Sequence, residues 1–195
     1  MKIVIILGSI REGRQSHKVA YYLQAQLARH SHITTELIDL AHQDIPQLDN
    51  RWTQQEAPAP DLPKLSQHLH EADGIILVSP EYHGSYTGVI KNAIDHYWKE
   101  FQRKPMGVVT TGSGKFGGIN ASHQMQQLIL SLGAYPIPQK LLVPFAKTSF
   151  TPENLPADEQ MEGQVEKFLS EFMWFTQAIS TAKAAKSLVG NSIAS

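Results

Sequence analysis

Short apolar runs rich in β-branched residues recur along the chain. They occupy residues 1–7, 74–79 and 106–111. Because uniform apolarity means that both faces of a strand are covered, these runs predict a parallel sheet with helices on each side. Two further strands are predicted at the sheet edges. Residues 33–40 are more polar than the other runs, and residues 140–143 follow two prolines.

Between these runs, apolar residues recur every three or four positions, which is the spacing of an amphipathic helix. The predicted helices are residues 16–29, a short helix with Leu62, Leu65 and Leu69, residues 87–101, a helix that ends at Gly133, and residues 158–185. Strands and helices therefore alternate, which predicts an α/β fold: a three-layer, doubly wound, five-stranded parallel sheet. We expect one domain over residues 1–185 and a flexible tail over residues 186–195.

Composition narrows the class of protein. The 195 residues carry a net charge of −1, so no overall field favours nucleic acid or an anionic membrane as a partner. The absence of cysteine excludes disulfides, thiolate metal sites and a cysteine nucleophile. We find no signal peptide and no apolar run long enough for a membrane span, and we expect a cytoplasmic protein.

Nine histidines raise the question of a metal site. The pairs His30/His32 and His68/His70 are two residues apart, a spacing that points helical side chains in different directions. No cysteine supports them as ligands. We therefore predict no metal site.

The loop after the first strand carries the strongest chemical signal. Ser9 and Ser16 offer hydroxyls and Arg11 and Arg14 offer guanidinium groups, beside the unpaired N–H groups at the start of a helix. No Lys follows Gly13, which excludes an NTPase loop, and the glycine spacing of a dinucleotide fingerprint is missing. A terminal phosphate monoester fits better. The alternative is an ordinary turn with a Ser N-cap and solvated arginines.

Three unusual loops follow predicted strands. They are residues 8–16, 79–88 and 111–118, and the last is rich in glycine. In a doubly wound sheet the carboxyl ends of the strands share one edge, where ligands bind. We therefore expect the three loops to converge on one site.

Four motifs follow one another over residues 1–143. They are Gly8-Ser9-x-Arg11 with Ser16, Pro80-Glu81-Tyr82, Lys91-Asn92-Ala93-Ile94-Asp95, and Gly112-Ser113-Gly114 through Gly117-Gly118. In this order they resemble the NAD(P)H-dependent FMN reductase family, which includes azo dye, quinone and chromate reductases. The resemblance implies a flavodoxin-like fold, with FMN as the cofactor and NADPH or NADH as the hydride donor.

The resemblance also implies which residues bind FMN. They are Ser9, Arg11, Arg14, Gln15, Ser16, Pro80, Glu81, Tyr82, His83, Gly84, Ser113, Gly114 and Gly117. The residues from Ser9 to Ser16 are expected at the phosphate, those from Pro80 to His83 along the isoalloxazine edge, and those from Ser113 to Gly117 on its pyrimidine side. The flavin carries the chemistry, so no catalytic side chain is expected. His83 stands where the family usually has Asn, and we expect it to alter the redox potential or the substrate preference.

The resemblance implies an FMN-dependent oxidoreductase. It would pass hydride from NADPH or NADH to a small-molecule electron acceptor (a quinone, azo compound, flavin or metal oxyanion) by a ping-pong mechanism. The alternative is a flavodoxin-like electron carrier, or a flavin-binding interaction protein without turnover. Such carriers tend to be strongly acidic, whereas this chain is nearly neutral and has arginines in its phosphate loop, which favours the enzyme.

The helix over residues 87–101 has an apolar stripe wider than one sheet contact needs, which predicts a homodimer or a dimer of dimers. Residues 41–63 hold four prolines and predict a lid, a binding loop or a partner contact.

Several single residues keep two interpretations. Glu81 is either a helix cap or a site residue. Lys91 and Asp95 form either an exposed i,i+4 pair or part of an interface. Lys115 and Phe116 lie beside the expected site, where a solvated Lys and a half-buried Phe are the simpler interpretation.

Overall fold

Six parallel strands form the centre of the molecule in a computed structural model that describes residues 1–190, with side chains to residue 185. The strands are β1 (Lys2–Leu7), β2 (Thr34–Asp39), β3 (Gly74–Pro80), β4 (Pro105–Thr111), β5 (Tyr135–Pro136) and β6 (Leu141–Val143). Their order is β2-β1-β3-β4-β5, and β6 also pairs with β4. The predicted parallel α/β sheet is confirmed.

The predicted fifth strand is divided into two short pieces. Tyr135 pairs with Pro105 near the start of β4, and Leu141 pairs with Val109 further along it. Pro138 lies between the two pieces and has no N–H to donate to the ladder. This interruption explains why neither piece is longer than three residues.

Helices cover both faces of the sheet. They are α1 (Ser16–Ala28), α2 (Asp61–Glu71), α3 (Gly88–Asp95), α4 (Ile119–Ser131) and α5 (Glu159–Gly190). One core cluster joins the sheet to α1 and α5, and the other joins it to α2, α3 and α4. Over residues 1–190, no helix has the length and apolarity that a membrane span requires. The last helix continues to Gly190, beyond its predicted end, and residues 191–195 of the predicted tail lie outside the described residues.

The apolar stripe of residues 87–101 is used mainly inside the subunit. Helix α3 ends at Asp95 rather than continuing to Phe101 as predicted, and turns follow. Tyr97 and Phe101 reach the core from these turns, and the Tyr97 hydroxyl donates to the Leu62 carbonyl at 3.0 Å. Trp98 is the exception, with 48% of its surface exposed.

The proline-rich segment of residues 41–63 is attached to α3. Asn92 donates through Nδ2 to the Pro46 carbonyl at 2.9 Å, and its Oδ1 accepts from the Leu48 N–H at 2.9 Å. The Nε2 atom of buried His96 lies 3.1 Å from the same Pro46 carbonyl. Trp52 packs against the core from this segment. The segment therefore covers part of the outer face of α3.

Lys104 closes the C-terminal end of α2 from the turn before β4. Its Nζ atom donates to the carbonyls of Leu69, His70 and Ala72 at 2.8, 2.6 and 2.7 Å. These carbonyls lie at the end of the helix, where intrahelical partners are missing. A buried cation thus satisfies three acceptors and joins α2 to the sheet.

We expect Lys104→Met to lower the free energy of unfolding by about 3 kcal/mol, because it leaves buried carbonyls without donors. Urea unfolding followed by circular dichroism measures this change. Exposed Lys99, five residues earlier in the same connection, provides the control Lys99→Met, whose effect should stay within about 0.5 kcal/mol. Equal effects of the two variants would contradict the capping role.

Candidate active site

Gly8 determines how the first loop leaves the sheet. Its N–H donates to the Val78 carbonyl at 2.9 Å, and its carbonyl accepts from the Thr87 hydroxyl at 2.6 Å. A Cβ atom at position 8 would lie 2.0 Å from Cγ1 of buried Ile90. Only glycine therefore lets the loop pass this close to α3.

Two buried hydroxyl groups face a pocket, and neither has a hydrogen-bond partner within the described residues. Ser9 and Ser16 are 2% and 1% exposed, and within the described part of the chain neither Oγ atom has a hydrogen-bond partner. Ser16 is the first residue of α1 and Gln15 is its N-cap, without a side-chain capping bond. The interpretation of Ser16 as a plain N-cap is therefore wrong. Buried hydroxyls without a partner at the start of a helix are typical of an anion-binding site.

Arg14 forms an ion pair that the sequence did not predict. Both terminal nitrogens of its guanidinium group bind the carboxylate of Asp39 at the end of β2, with Nη1 to Oδ1 at 2.6 Å. Nη1 also donates to the Ser9 carbonyl. These contacts use both donors on Nη1 and one on Nη2, and they hold the loop in place. Exposed Arg11 lies 5.5 Å above the Tyr82 ring and remains available.

The Arg14 contact also sets the protonation of Asp39. Burial opposes ionisation of this carboxyl, but hydrogen bonds from Arg14 and from the Ala41 N–H outweigh it and hold its pKa below the ordinary value. The ion pair is therefore fully formed at neutral pH.

The second loop, residues 79–88, contains a tight hairpin turn. Tyr82 and Ser85 exchange backbone hydrogen bonds of 2.8 and 3.0 Å. Between them His83 and Gly84 have φ values of 52° and 75°. Two positive φ values are typical of a type I′ turn, for which Asn-Gly is the preferred sequence. Histidine also tolerates this region, so His83 can replace Asn for a backbone reason.

The same loop is bound to α4. The Glu81 carboxylate accepts from the Ala121 N–H at 3.0 Å, so the interpretation of Glu81 as a helix cap is correct. Gln124 donates to the Gly84 carbonyl at 2.9 Å and accepts from the Ser85 hydroxyl at 2.6 Å. These contacts fix the position of the loop between β3 and α3 relative to α4.

The third loop folds back on itself at its glycines. A Cβ atom on Gly112 would lie 2.8 Å from the Gly118 nitrogen, and one on Gly117 would lie 2.9 Å from the Leu142 backbone. Gly117 serves this close packing, and its carbonyl accepts from the Thr110 hydroxyl at 2.9 Å. The loop therefore presents its Thr111–Ser113 end to the pocket.

The pocket at the carboxyl ends of the strands has a volume of about 270 Å³. The predicted residues that line it are Ser9, Arg11, Arg14, Gln15, Ser16, Pro80, Glu81, Tyr82 and Ser113. His83, Gly84, Gly114 and Gly117 do not line it, and their contact with FMN stays a prediction. His83 is exposed at the tip of its turn. The three loops do converge, as expected.

Sequence reasoning missed five lining residues: Gly13, Thr111, Gly112, Ala146 and Lys147. The first three belong to loops that the sequence had singled out. The last two belong to the connection after β6. This connection also leaves the carboxyl end of a predicted strand, so the rule that located the other loops applies to it as well.

Two residue pairs that kept two interpretations make side-chain contacts in the structure. Lys91 and Asp95 form an exposed ion pair with Nζ–Oδ distances of 2.7 and 2.6 Å. Phe116 is 64% exposed, more than expected, and the Lys115 ammonium lies 5.0 Å from its ring centre.

Fold and site together define a class: a flavodoxin-like α/β protein with a pocket at the carboxyl edge of its sheet. A model of the NADPH-dependent FMN reductase family matches residues 1–148, so the chain belongs to that family. The predicted family and enzyme class, an FMN-dependent NADPH oxidoreductase, are confirmed, and the expected cofactors are those that the family description names.

Relatives agree with this assignment. The FMN-dependent NADPH-azoreductase of Staphylococcus saprophyticus is 38% identical over 133 residues, which cover 67% of this chain and 68% of that protein. The NADPH azoreductase of Bacillus sp. strain OY1-2 is 32% identical over 144 residues, covering 73% and 76%. The flavoenzyme FerB, an NAD(P)H:(acceptor) oxidoreductase from Paracoccus denitrificans, has a TM-score of 0.78 at 23% identity, covers 91% and 97%, and shows the fold.

We expect Asp39→Asn to lower the free energy of unfolding by about 2 kcal/mol near pH 7, because Arg14 loses its anionic partner. A depressed native pKa contributes stability above the unfolded-state value, and this stability is lost as pH falls through the native value. The difference between wild type and variant should therefore shrink below about pH 4. Urea unfolding at several pH values checks this, with exposed Asp44→Asn as control. A difference independent of pH would contradict it.

We expect His83→Asn to keep the wild-type stability and His83→Val to lose about 1–2 kcal/mol, because a β-branched residue resists a positive φ. Thermal unfolding measures both variants. Because the side chain is exposed and outside the pocket, the redox potential of the FMN-loaded His83→Asn protein should match that of the wild type. A shifted potential would restore the original interpretation of His83.

Proposed function

We propose that the chain transfers hydride from NADPH through bound FMN to small-molecule acceptors of the quinone, azo, flavin or metal-oxyanion type, by a ping-pong mechanism. Family membership supports the use of FMN and NADPH. The names of the two relatives above support an azo compound as one acceptor. The observation that carries the proposal is the pair of buried hydroxyls, Ser9 and Ser16, that lack a protein partner within the described residues.

The phosphate of FMN fits this part of the pocket. The hydroxyls of Ser9 and Ser16 and the N–H groups at the start of α1 would donate to its oxygens, and Arg11 would add a positive charge. A buried hydroxyl without a partner costs free energy, and a phosphate oxygen removes that cost. Arg14 supports these groups by holding the Ser9 carbonyl.

The other two loops would hold the ring system. Pro80, Tyr82 and Ser113 line the pocket there, and Glu81 is kept in place by its bond to α4. The bound flavin supplies the hydride chemistry. The side chains would bind and orient it, and Gly112 lets the third loop fold closely on itself beside the ring. His83, Gly84, Gly114 and Gly117 contribute through the backbone shape of their turns.

The ping-pong order follows from access to one pocket. Donor and acceptor must both reach the same ring face, so the oxidised nicotinamide leaves before the acceptor enters. A cytoplasmic location remains our prediction, because reduced nicotinamide is the donor.

The test combines FMN binding and turnover. We expect Ser9→Ala and Ser16→Ala each to raise the dissociation constant of FMN about tenfold, because each removes a donor to the phosphate. Flavin fluorescence quenching measures this, with exposed Ser170→Ala on α5 as control.

Wild-type protein with FMN should oxidise NADPH when a quinone or an azo dye is added, with parallel double-reciprocal plots. A protein that binds FMN and is yellow but does not oxidise NADPH would favour the electron carrier instead. Failure to bind FMN would contradict the enzyme, the electron carrier and the flavin-binding interaction protein alike.

We also propose a homodimer, on a narrower surface than the predicted stripe. Leu48 and Trp98 are exposed and line a groove of about 550 Å³ between the proline-rich segment and helices α3 and α4. The Arg51 guanidinium group lies 6.0 Å from the Trp98 ring centre. A large aromatic residue with an arginine beside it is typical of the centre of an interface.

We expect Trp98→Ser to raise the dimer dissociation constant at least about thirtyfold, because a central aromatic side chain is removed. Sedimentation velocity over a concentration series measures it. Trp174→Ser is a matched control, since Trp174 is exposed on α5 in the opposite layer. Monomeric wild type, or equal effects of the two variants, would contradict the interface.

A further inference from the structure

The connection between β6 and α5 is built onto the glycine-rich turn. The N–H groups of Phe145 and Ala146 donate to the carbonyls of Gly114 and Gly112 at 3.3 and 3.0 Å. The Phe145 carbonyl then accepts from the Thr148 N–H at 2.8 Å. Phe145 itself has a φ of 44°, which is rare for a residue with a side chain. The backbone that carries Lys147 is thus fixed beside the pocket.

Lys147 is one of two cations in the pocket lining that form no ion pair within the described residues. Arg14 is neutralised by Asp39. The Glu81 carboxylate is held by the N-terminus of α4. Arg11 and Lys147 remain, on two different loops. Arg11 lies above the Tyr82 ring beside the buried hydroxyls, whereas Lys147 is exposed at the rim.

The proposed function requires the pocket to handle more than one phosphate. The phosphate of FMN already has donors in Ser9, Ser16 and the start of α1. NADPH differs from NADH by a single 2′-phosphate, and a cation at the place where this group arrives favours NADPH. An exposed ammonium on a flexible stem suits a phosphate that comes and goes with each turnover.

Resting on the proposed function, we propose that Lys147 binds the 2′-phosphate of NADPH and sets the preference for NADPH over NADH. Lys147 is a specificity residue and takes no part in hydride transfer. The backbone bonds from Phe145 and Ala146 to Gly114 and Gly112 fix the Lys147 backbone at the site, and its flexible side chain can reach a bound coenzyme.

Equilibrium binding tests the proposal without turnover. FMN-loaded wild type, Lys147→Ala and Lys147→Arg are titrated with NADP⁺ and NAD⁺ by calorimetry. We expect Lys147→Ala to raise the dissociation constant of NADP⁺ about tenfold and to leave that of NAD⁺ within about twofold. Lys147→Arg should restore most of the NADP⁺ affinity, since it keeps the charge. Exposed Lys167→Ala on α5 is the control for net charge.

Each other result overturns the proposal. Equal weakening of NADP⁺ and NAD⁺ would place Lys147 at a group that both coenzymes share. A weaker dissociation constant for FMN would assign it to the flavin phosphate, and no change would leave it a solvated lysine. Failure of the proposed function is seen separately, because wild-type protein would then not bind FMN or would not oxidise NADPH.

Discussion

The ion pair between Arg14 and Asp39 is the contact on which the candidate site depends. It joins the first loop to the end of β2 and also holds the Ser9 carbonyl. Without it, a loop that carries exposed Ile10, Arg11 and Glu12 would have few constraints. With it, two hydroxyls stay buried without partners among the described residues. The strong contact therefore compensates for the cost of burying these two hydroxyls without partners.

The remaining loops follow the same design, in which a neighbouring element holds each of them. Glu81 and Gln124 bind the second loop to α4, and the Ala146 N–H binds the connection after β6 to Gly112. Such bonds reduce the ordering that a ligand would otherwise have to impose. A preorganised pocket suits a protein whose cofactor carries the chemistry, because the protein's contribution is position and charge.

The helical layers on the two faces of the sheet pack differently. Helices α1 and α5 complete one core layer. On the other side, the proline-rich segment lies on α3 through Asn92 and His96 and leaves Trp98 uncovered. The apolar stripe of residues 87–101 thus serves mostly the subunit's own core, and a small part of it is exposed.

The sequence by itself determined the elements, their parallel arrangement and the three loops of the site, because uniform apolar runs, helical spacing and glycine-rich turns are local properties. The family resemblance predicted that the cofactor is FMN. Only the tertiary structure decided what Arg14 does, since its partner Asp39 comes from a strand 25 residues away. It also showed that His83 has a positive φ, that the predicted 87–101 helix ends at Asp95, and that Lys147 lines the pocket. These outcomes depend on which distant groups meet, and local patterns do not record that.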